Sequence, residues 1–65
     1  MEVSTTHYQF VHGRKPRGRG GWVFFFGHGR THSFTSAGNM TFSEALRDAK
    51  AMARLGGHSR IEVGA

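Results

Sequence analysis

Apolar and polar residues alternate near the start of the chain, and this alternation predicts a β-strand. Over Thr6 to His12, Tyr8 and Phe10 fall on one side of an extended chain, and polar residues fall on the other. This is the two-residue period of a strand. The run Trp22 to Phe26 is rich in aromatic residues and is flanked by glycines, so we expect a second strand that pairs back on the first.

A third strand is predicted from Arg30 to Thr35, because residues 27–29 have the composition of a tight turn and Phe34 supplies an apolar anchor. These three strands would form an antiparallel meander. In the second strand, Trp22 and the alternate residues after it point to one face, which leaves Val23 and Phe25 on the other.

The period then changes from two residues to 3.6, which predicts a helix over residues 42 to about 55. Thr41 to Glu44 matches a capping box, in which the Thr hydroxyl and the Glu carboxylate each accept a free backbone N–H. Gly56 is expected to end the helix in the left-handed conformation. The apolar stripe consists of Phe42, Ala45, Leu46, Ala49, Met52 and Ala53.

A short alternation from Arg60 to Val63 predicts a final strand, with Ile61 and Val63 facing the core and one of the earlier strands beside it. The element order is then β-β-β-α-β. The sequence therefore predicts an α+β fold, in which a three-stranded antiparallel sheet is backed by one helix and a short C-terminal strand follows. No internal repeat or linker divides the chain, so residues 1–65 form a single small domain.

Composition adds a strong positive charge to this picture. Nine Lys and Arg oppose four Asp and Glu, for a formal net charge of +5, and such an excess favours polyanionic partners, nucleic acid first among them. The absence of cysteine favours a reducing compartment, so a cytoplasmic location is expected. No signal segment or membrane span is visible, and a membrane partner is not expected.

The basic loop, Gly13 to Gly21, concentrates this charge. Arg14, Lys15, Arg17 and Arg19 stand among glycines that let the backbone follow a curved surface. Because arginine forks match phosphate oxygens in pairs, we interpret the loop as a phosphate-binding segment. The alternative is a solvated loop that only keeps a small domain soluble.

The aromatic strand leaves the role of Trp22 open among a base contact, a contact with another subunit and the core. Positive residues on the helix, namely Arg47, Lys50 and Arg54, form a stripe that is more typical of a solvated face. Five histidines show no recognised metal-ligand spacing, and neither a nucleophile with a base nor converging carboxylates are apparent. We expect no enzyme activity, cofactor, metal or small-molecule substrate.

The order of these features resembles that of the plant ethylene-response-factor (Apetala-type) DNA-binding domain and of the similar arm-binding domains of phage-type integrases. The resemblance spans about residues 8 to 56 and is one of pattern; it is carried by Tyr8, the run from Gly13 to Arg19, Trp22-Val23 and Thr41 to Ala45. It implies a three-stranded sheet in the major groove with the helix behind it. Two glycines before Trp22 and a strand after the helix depart from the family pattern.

Carried over, the resemblance places Trp22 at the DNA side of the sheet and Arg30 beside the basic loop. The sequence thus predicts a non-catalytic nucleic-acid-binding protein, with DNA favoured over RNA, of a size that suits a phage or plasmid accessory protein. The alternative is a protein-interaction module, either a homodimer through the aromatic sheet face or an inhibitor of a host protein with an acidic surface. The predicted contact residues are Arg14, Lys15, Arg17, Arg19, Trp22 and Arg30.

Overall fold

A computed structural model describes residues 1–27 and 32–64, in which the strands form two sheets and a short helix precedes a longer one along the chain. No helix among the described residues is long and apolar enough to cross a membrane. The elements are, in chain order, β1 (Glu2–Ser4), α1 (Thr6–His12), β2 (Arg19–Gly20), β3 (Val23–Phe26), β4 (His32–Thr35), β5 (Met40–Thr41), α2 (Phe42–Leu55) and β6 (Arg60–Val63).

The main sheet has four strands in the order β1-β6-β3-β4. β6 runs parallel to β1 and antiparallel to β3, and β3 is antiparallel to β4. The aromatic strand therefore lies inside the sheet, where Phe24 is opposite Phe34 on one side and Val63 on the other. The α+β class is confirmed, and so is a final strand from Arg60 to Val63 beside an earlier one.

One face of this sheet packs on α2. Phe24, Ile61 and Val63 are fully buried, and the facing side of the helix is formed by three alanines that are equally buried, Ala45, Ala49 and Ala53. Because alanine side chains are small, the helix can pack close to the sheet, where its contacts include β6. A sheet backed by a helix is thus confirmed, with the core between them.

Local signals fix both ends of α2. Thr41 and Glu44 form the predicted capping box, in which the Thr41 hydroxyl accepts from the backbone N–H of Glu44 (3.2 Å) and the Glu44 carboxylate accepts from that of Thr41 (2.9 Å). The predicted left-handed residue is wrong by one position, because Gly56 has φ −85° and Gly57 has φ +76°. The N–H of His58 bonds to the carbonyl of Ala53, so Gly57 occupies the left-handed position of a Schellman motif.

The predicted first strand is wrong, because Thr6–His12 forms the helix α1. Its periodicity is visible in Tyr8 and His12, which lie four residues apart and stack with ring centroids 4.2 Å from each other. Gly13 ends the helix with φ +70°, and its N–H bonds to the carbonyl of Gln9. The apparent alternation misled because only Tyr8 is buried in this segment, whereas Phe10 is 86% exposed.

The sheet also differs from the predicted three-stranded meander. Its strands next to β3 are β4 and β6, and its far edge is β1, a segment that the sequence did not predict to be a strand. The third strand is confirmed from His32 to Thr35. Its predicted beginning at Arg30 and part of the turn at residues 27–29 lie outside the described residues.

The end of α1 provides a test of this correction. An added Cβ at Gly13 would meet no atom within 4 Å, so Gly13→Ala changes only the energy of the left-handed backbone. We expect the free energy of unfolding to fall by about 1 kcal/mol, measured by urea denaturation. Gly38→Ala is the matched control, since Gly38 also stands in open space but lacks a positive φ. Equal stability of the two variants would contradict the helix end at Gly13.

Candidate nucleic-acid interface

The basic loop connects the end of α1 to the aromatic strand. It begins at the left-handed Gly13 and contains a second left-handed glycine, Gly18, with φ +84°. Between these glycines stand Arg14, Lys15 and Arg17, all of which are exposed. The chain therefore leaves the helix, turns twice and presents its cations to solvent before it reaches β2.

Trp22 holds the far end of this loop. Its indole N–H donates to the carbonyl of Met40 (2.9 Å), and its backbone N–H donates to the hydroxyl of Ser36 (2.9 Å). Its ring centroid lies 5.8 Å from that of Tyr8 and 5.3 Å from that of Phe42. With only 6% of its surface exposed, Trp22 belongs to the core, which was one of its three predicted roles.

The second sheet connects the basic loop to the start of α2. β2 and β5 are antiparallel and place Arg19 opposite Thr41. The Arg19 guanidinium lies 3.5 Å from the carbonyl oxygen of Asn39 and 3.8 Å from the Glu44 carboxylate. Both charged side chains are substantially exposed, so solvent screens this ion pair and it adds little to stability.

Glu44 is thereby a charged group in the folded protein. The backbone N–H and then the hydroxyl of Thr41 lower the pKa of its carboxyl below the ordinary value of 4.5, and the charges of Arg19 and Arg47 add to this effect. Desolvation acts in the opposite direction and outweighs the effect of either arginine. The carboxylate thus offsets part of the charge of Arg19, and it forms no ion pair with Arg14, Lys15 or Arg17.

Arg14, Lys15 and Arg17 make no hydrogen bond or ion pair with any of the described residues. The fold therefore does not use their charges. Their guanidinium and ammonium groups remain hydrated and available to an external anion, which is the property that distinguishes a binding group from a structural one.

A recess opens beside these side chains. It has a volume of about 280 Å³, and three arginines, Arg14, Arg17 and Arg19, line it. We call it the arginine recess. Tyr8 and His12 of α1 form another part of the wall, and Trp22 and Gly64 complete it where the loop meets the main sheet.

The structure thus brings together three of the predicted cations, and it gives Trp22 a place in the wall of the recess without exposing its ring. Lys15 is exposed but does not line the recess, and Arg30 lies outside the described residues. The sequence analysis missed Tyr8 and His12 as recess residues. Their spacing of four residues, followed by Gly13, was the signal for a helix that would have placed them there.

Other chemistry is sparse among the described residues. No three His, Asp or Glu side chains of residues 1–27 and 32–64 are grouped so that they could hold a metal ion. His32 and His58 are neighbours, with ring centroids 5.1 Å apart, at the opposite end of α2 from the basic loop.

Comparisons of this chain with protein-family models, with curated proteins and with solved structures find no match.

The capping box yields a prediction on acid stability. Because the folded-state pKa of Glu44 lies below 4.5, its charge contributes stability that is present above this value and is lost as the pH falls through the folded-state pKa. We expect Glu44→Gln to lower the free energy of unfolding at pH 7 and to flatten its decline toward low pH, measured by urea denaturation across the pH range. Asp48→Asn removes an acid from the same helix without touching the cap and controls for net charge. An unchanged decline in Glu44→Gln would contradict the role of the cap.

Proposed function

We propose that this protein binds nucleic acid without catalysing a reaction, and that the basic loop makes the contact. The observation that carries the proposal is the set of exposed cations Arg14, Lys15 and Arg17, which the described part of the fold leaves without partners, next to a recess that a fourth cation, Arg19, also lines. A polyanion with regularly spaced phosphates satisfies several such groups at once.

The basic loop suits a phosphate backbone for a further reason. Its two ends are fixed, by Gly13 at the end of α1 and by Trp22 in the core, so little conformational entropy is lost when the loop meets a ligand. Within it, Gly18 keeps a left-handed turn, so the cations on either side can address successive phosphates. These features favour contact with the backbone of the nucleic acid.

Base contact by the aromatic sheet face has less support. Trp22, Phe24 and Phe26 face the core and are at most 6% exposed. We therefore propose that Trp22 positions the loop and that binding depends mainly on phosphates, with little sequence preference. The role of Arg30 in contacting DNA stays a prediction.

Duplex DNA is the proposed ligand, because it presents phosphates at a regular and close spacing to the cations of the loop. About four neutralised phosphates should give a slope near −3 to −4 when the logarithm of the binding constant is plotted against the logarithm of the salt concentration. Fluorescence anisotropy with a random-sequence duplex would measure it. A duplex of RNA is the second arm, and tighter binding to RNA would reassign the ligand. Undetectable binding at low salt to both duplexes would overturn the proposal.

Two triple variants locate the contact. Replacing Arg14, Lys15 and Arg17 by alanine lowers the formal charge from +5 to +2, and so does replacing the α2 cations Arg47, Lys50 and Arg54. We expect the loop variant to lose most of its affinity for the duplex, at least about tenfold for every two phosphate contacts that are removed. Its salt slope should become less negative by about 3. The helix variant should retain nearly all of its slope. Equal losses would show that net charge, and not the loop, governs binding.

A second candidate function, protein interaction, is favoured by apolar side chains on α1. Phe10 and Val11 are 86% and 54% exposed, although both are large and apolar. Such exposure on a short helix is typical of a contact surface. Sedimentation of the free protein distinguishes the two functions, since self-association that Phe10→Gln abolishes would support the second one.

A further inference from the structure

We infer that the arginine recess holds the terminal phosphate group of a nucleic-acid strand, that is, a phosphomonoester at a strand end. The inference rests on the proposed function and names the part of the ligand that the recess receives. Three arginines line it, namely Arg14, Arg17 and Arg19. Among the described residues, no carboxylate lines its wall.

The type of cation supports a phosphate ligand. Every charged side chain in the wall is an arginine, whereas the lysine of the same loop, Lys15, lies outside it. A guanidinium presents donors in a planar fork that matches two oxygens of a phosphate, and an ammonium group does not. The recess is therefore built for an anion with several equivalent oxygens.

The aromatic residues of the wall do not offer a platform for a base. Tyr8 and Trp22 are 7% and 6% exposed, and one face of the Tyr8 ring is already covered by His12 at 4.2 Å. Stacking of a base needs an open ring face. What these two side chains supply instead is a rigid wall behind the arginines.

Size and shape favour a strand end over an internal phosphate. At about 280 Å³ the recess is slightly smaller than a typical ligand pocket of about 300–1,000 Å³, and its walls come from α1, the basic loop, the start of β3 and Gly64. A volume this small favours a single phosphate group at the end of a strand. An internal phosphodiester carries a nucleoside on each side and one charge, whereas a phosphomonoester has three free oxygens and a charge of about −1.5 to −2 at pH 7.

The test compares duplexes that differ only at their ends. Short DNA duplexes with a 5′-hydroxyl, a 5′-phosphate or a 3′-phosphate are titrated at about pH 7.5, where the phosphate is a dianion. We expect a terminal phosphate at one of the ends to raise affinity about tenfold, because it adds charge-assisted hydrogen bonds that the hydroxyl cannot make. Inorganic phosphate should compete for this increment and leave the binding of the 5′-hydroxyl duplex little changed.

A charge-preserving variant isolates the recess from the rest of the loop. Arg14→Lys with Arg17→Lys keeps the formal charge of +5 but removes two forks. It should lose the preference for a terminal phosphate, because each lysine keeps the charge but lacks the planar fork that matches two phosphate oxygens. Arg47→Lys with Arg54→Lys makes the same exchange on α2 and should keep the preference.

Each outcome decides between the two proposals. Equal affinity for hydroxyl and phosphate ends would overturn the inference and leave the proposed function standing, whereas no binding to any duplex at low salt would overturn the proposed function. Free phosphate carries the same chemistry as a strand end, so inorganic phosphate is also titrated alone and followed by NMR of the Trp22 indole. Shifts of this signal without any preference among the duplexes would assign the recess to the free ion and overturn the strand-end inference.

Discussion

The packing of Trp22 is the interaction on which the rest of this fold depends. Its ring lies against Tyr8 of α1 and Phe42 of α2, and its N–H groups bond to Met40 and Ser36. A chain of 65 residues buries only about 60% of the surface that it exposes when unfolded, so one large side chain at such a junction carries much of the core. Two helices, the two-stranded sheet and β3 all meet there.

This junction explains how a loop of cations, glycines and one proline can have a defined position. The basic loop contributes little apolar surface of its own, and its cations repel one another. It is held because the chain on either side is held, by the left-handed Gly13 after α1 and by the buried Trp22 before β3. The proposed binding task and the structural task are thus divided between neighbouring residues, and the arginines need not contribute to stability.

Sequence patterns were most informative where local chemistry decides the structure. The capping box of Thr41 and Glu44, the alanine stripe of α2 and the strand from Arg60 to Val63 were all predictable, since each shows a clear pattern within its own stretch of sequence. α1 was not, because a seven-residue helix with one buried residue has too few turns to show its period. β1 was missed for a related reason, since its three residues become a strand only through long-range pairing with β6.

The candidate site shows the same division. The four cations of the basic loop are evident from the sequence, but their convergence on a recess depends on where α1 places Tyr8 and His12. Trp22 illustrates the limit most clearly: the residues beside it in sequence indicate a strand, and only the packing of Phe42 and Tyr8 determines that its ring is covered. Periodicity assigns a side chain to a face of the sheet, and tertiary contacts determine what lies on that face.

Arg19 is the one cation of the loop that has both kinds of task. It lies opposite Thr41 in the two-stranded sheet and near the Glu44 carboxylate, yet it also lines the recess. Because this ion pair is exposed and its charged groups lie 3.8 Å apart, it is weaker than a charge-assisted hydrogen bond. The proposed phosphate ligand would therefore compete with Glu44 for Arg19 without loss of the fold, since the capping box holds Glu44 in place by its bonds to Thr41. The cap thus stabilises α2 independently of whether the recess is filled.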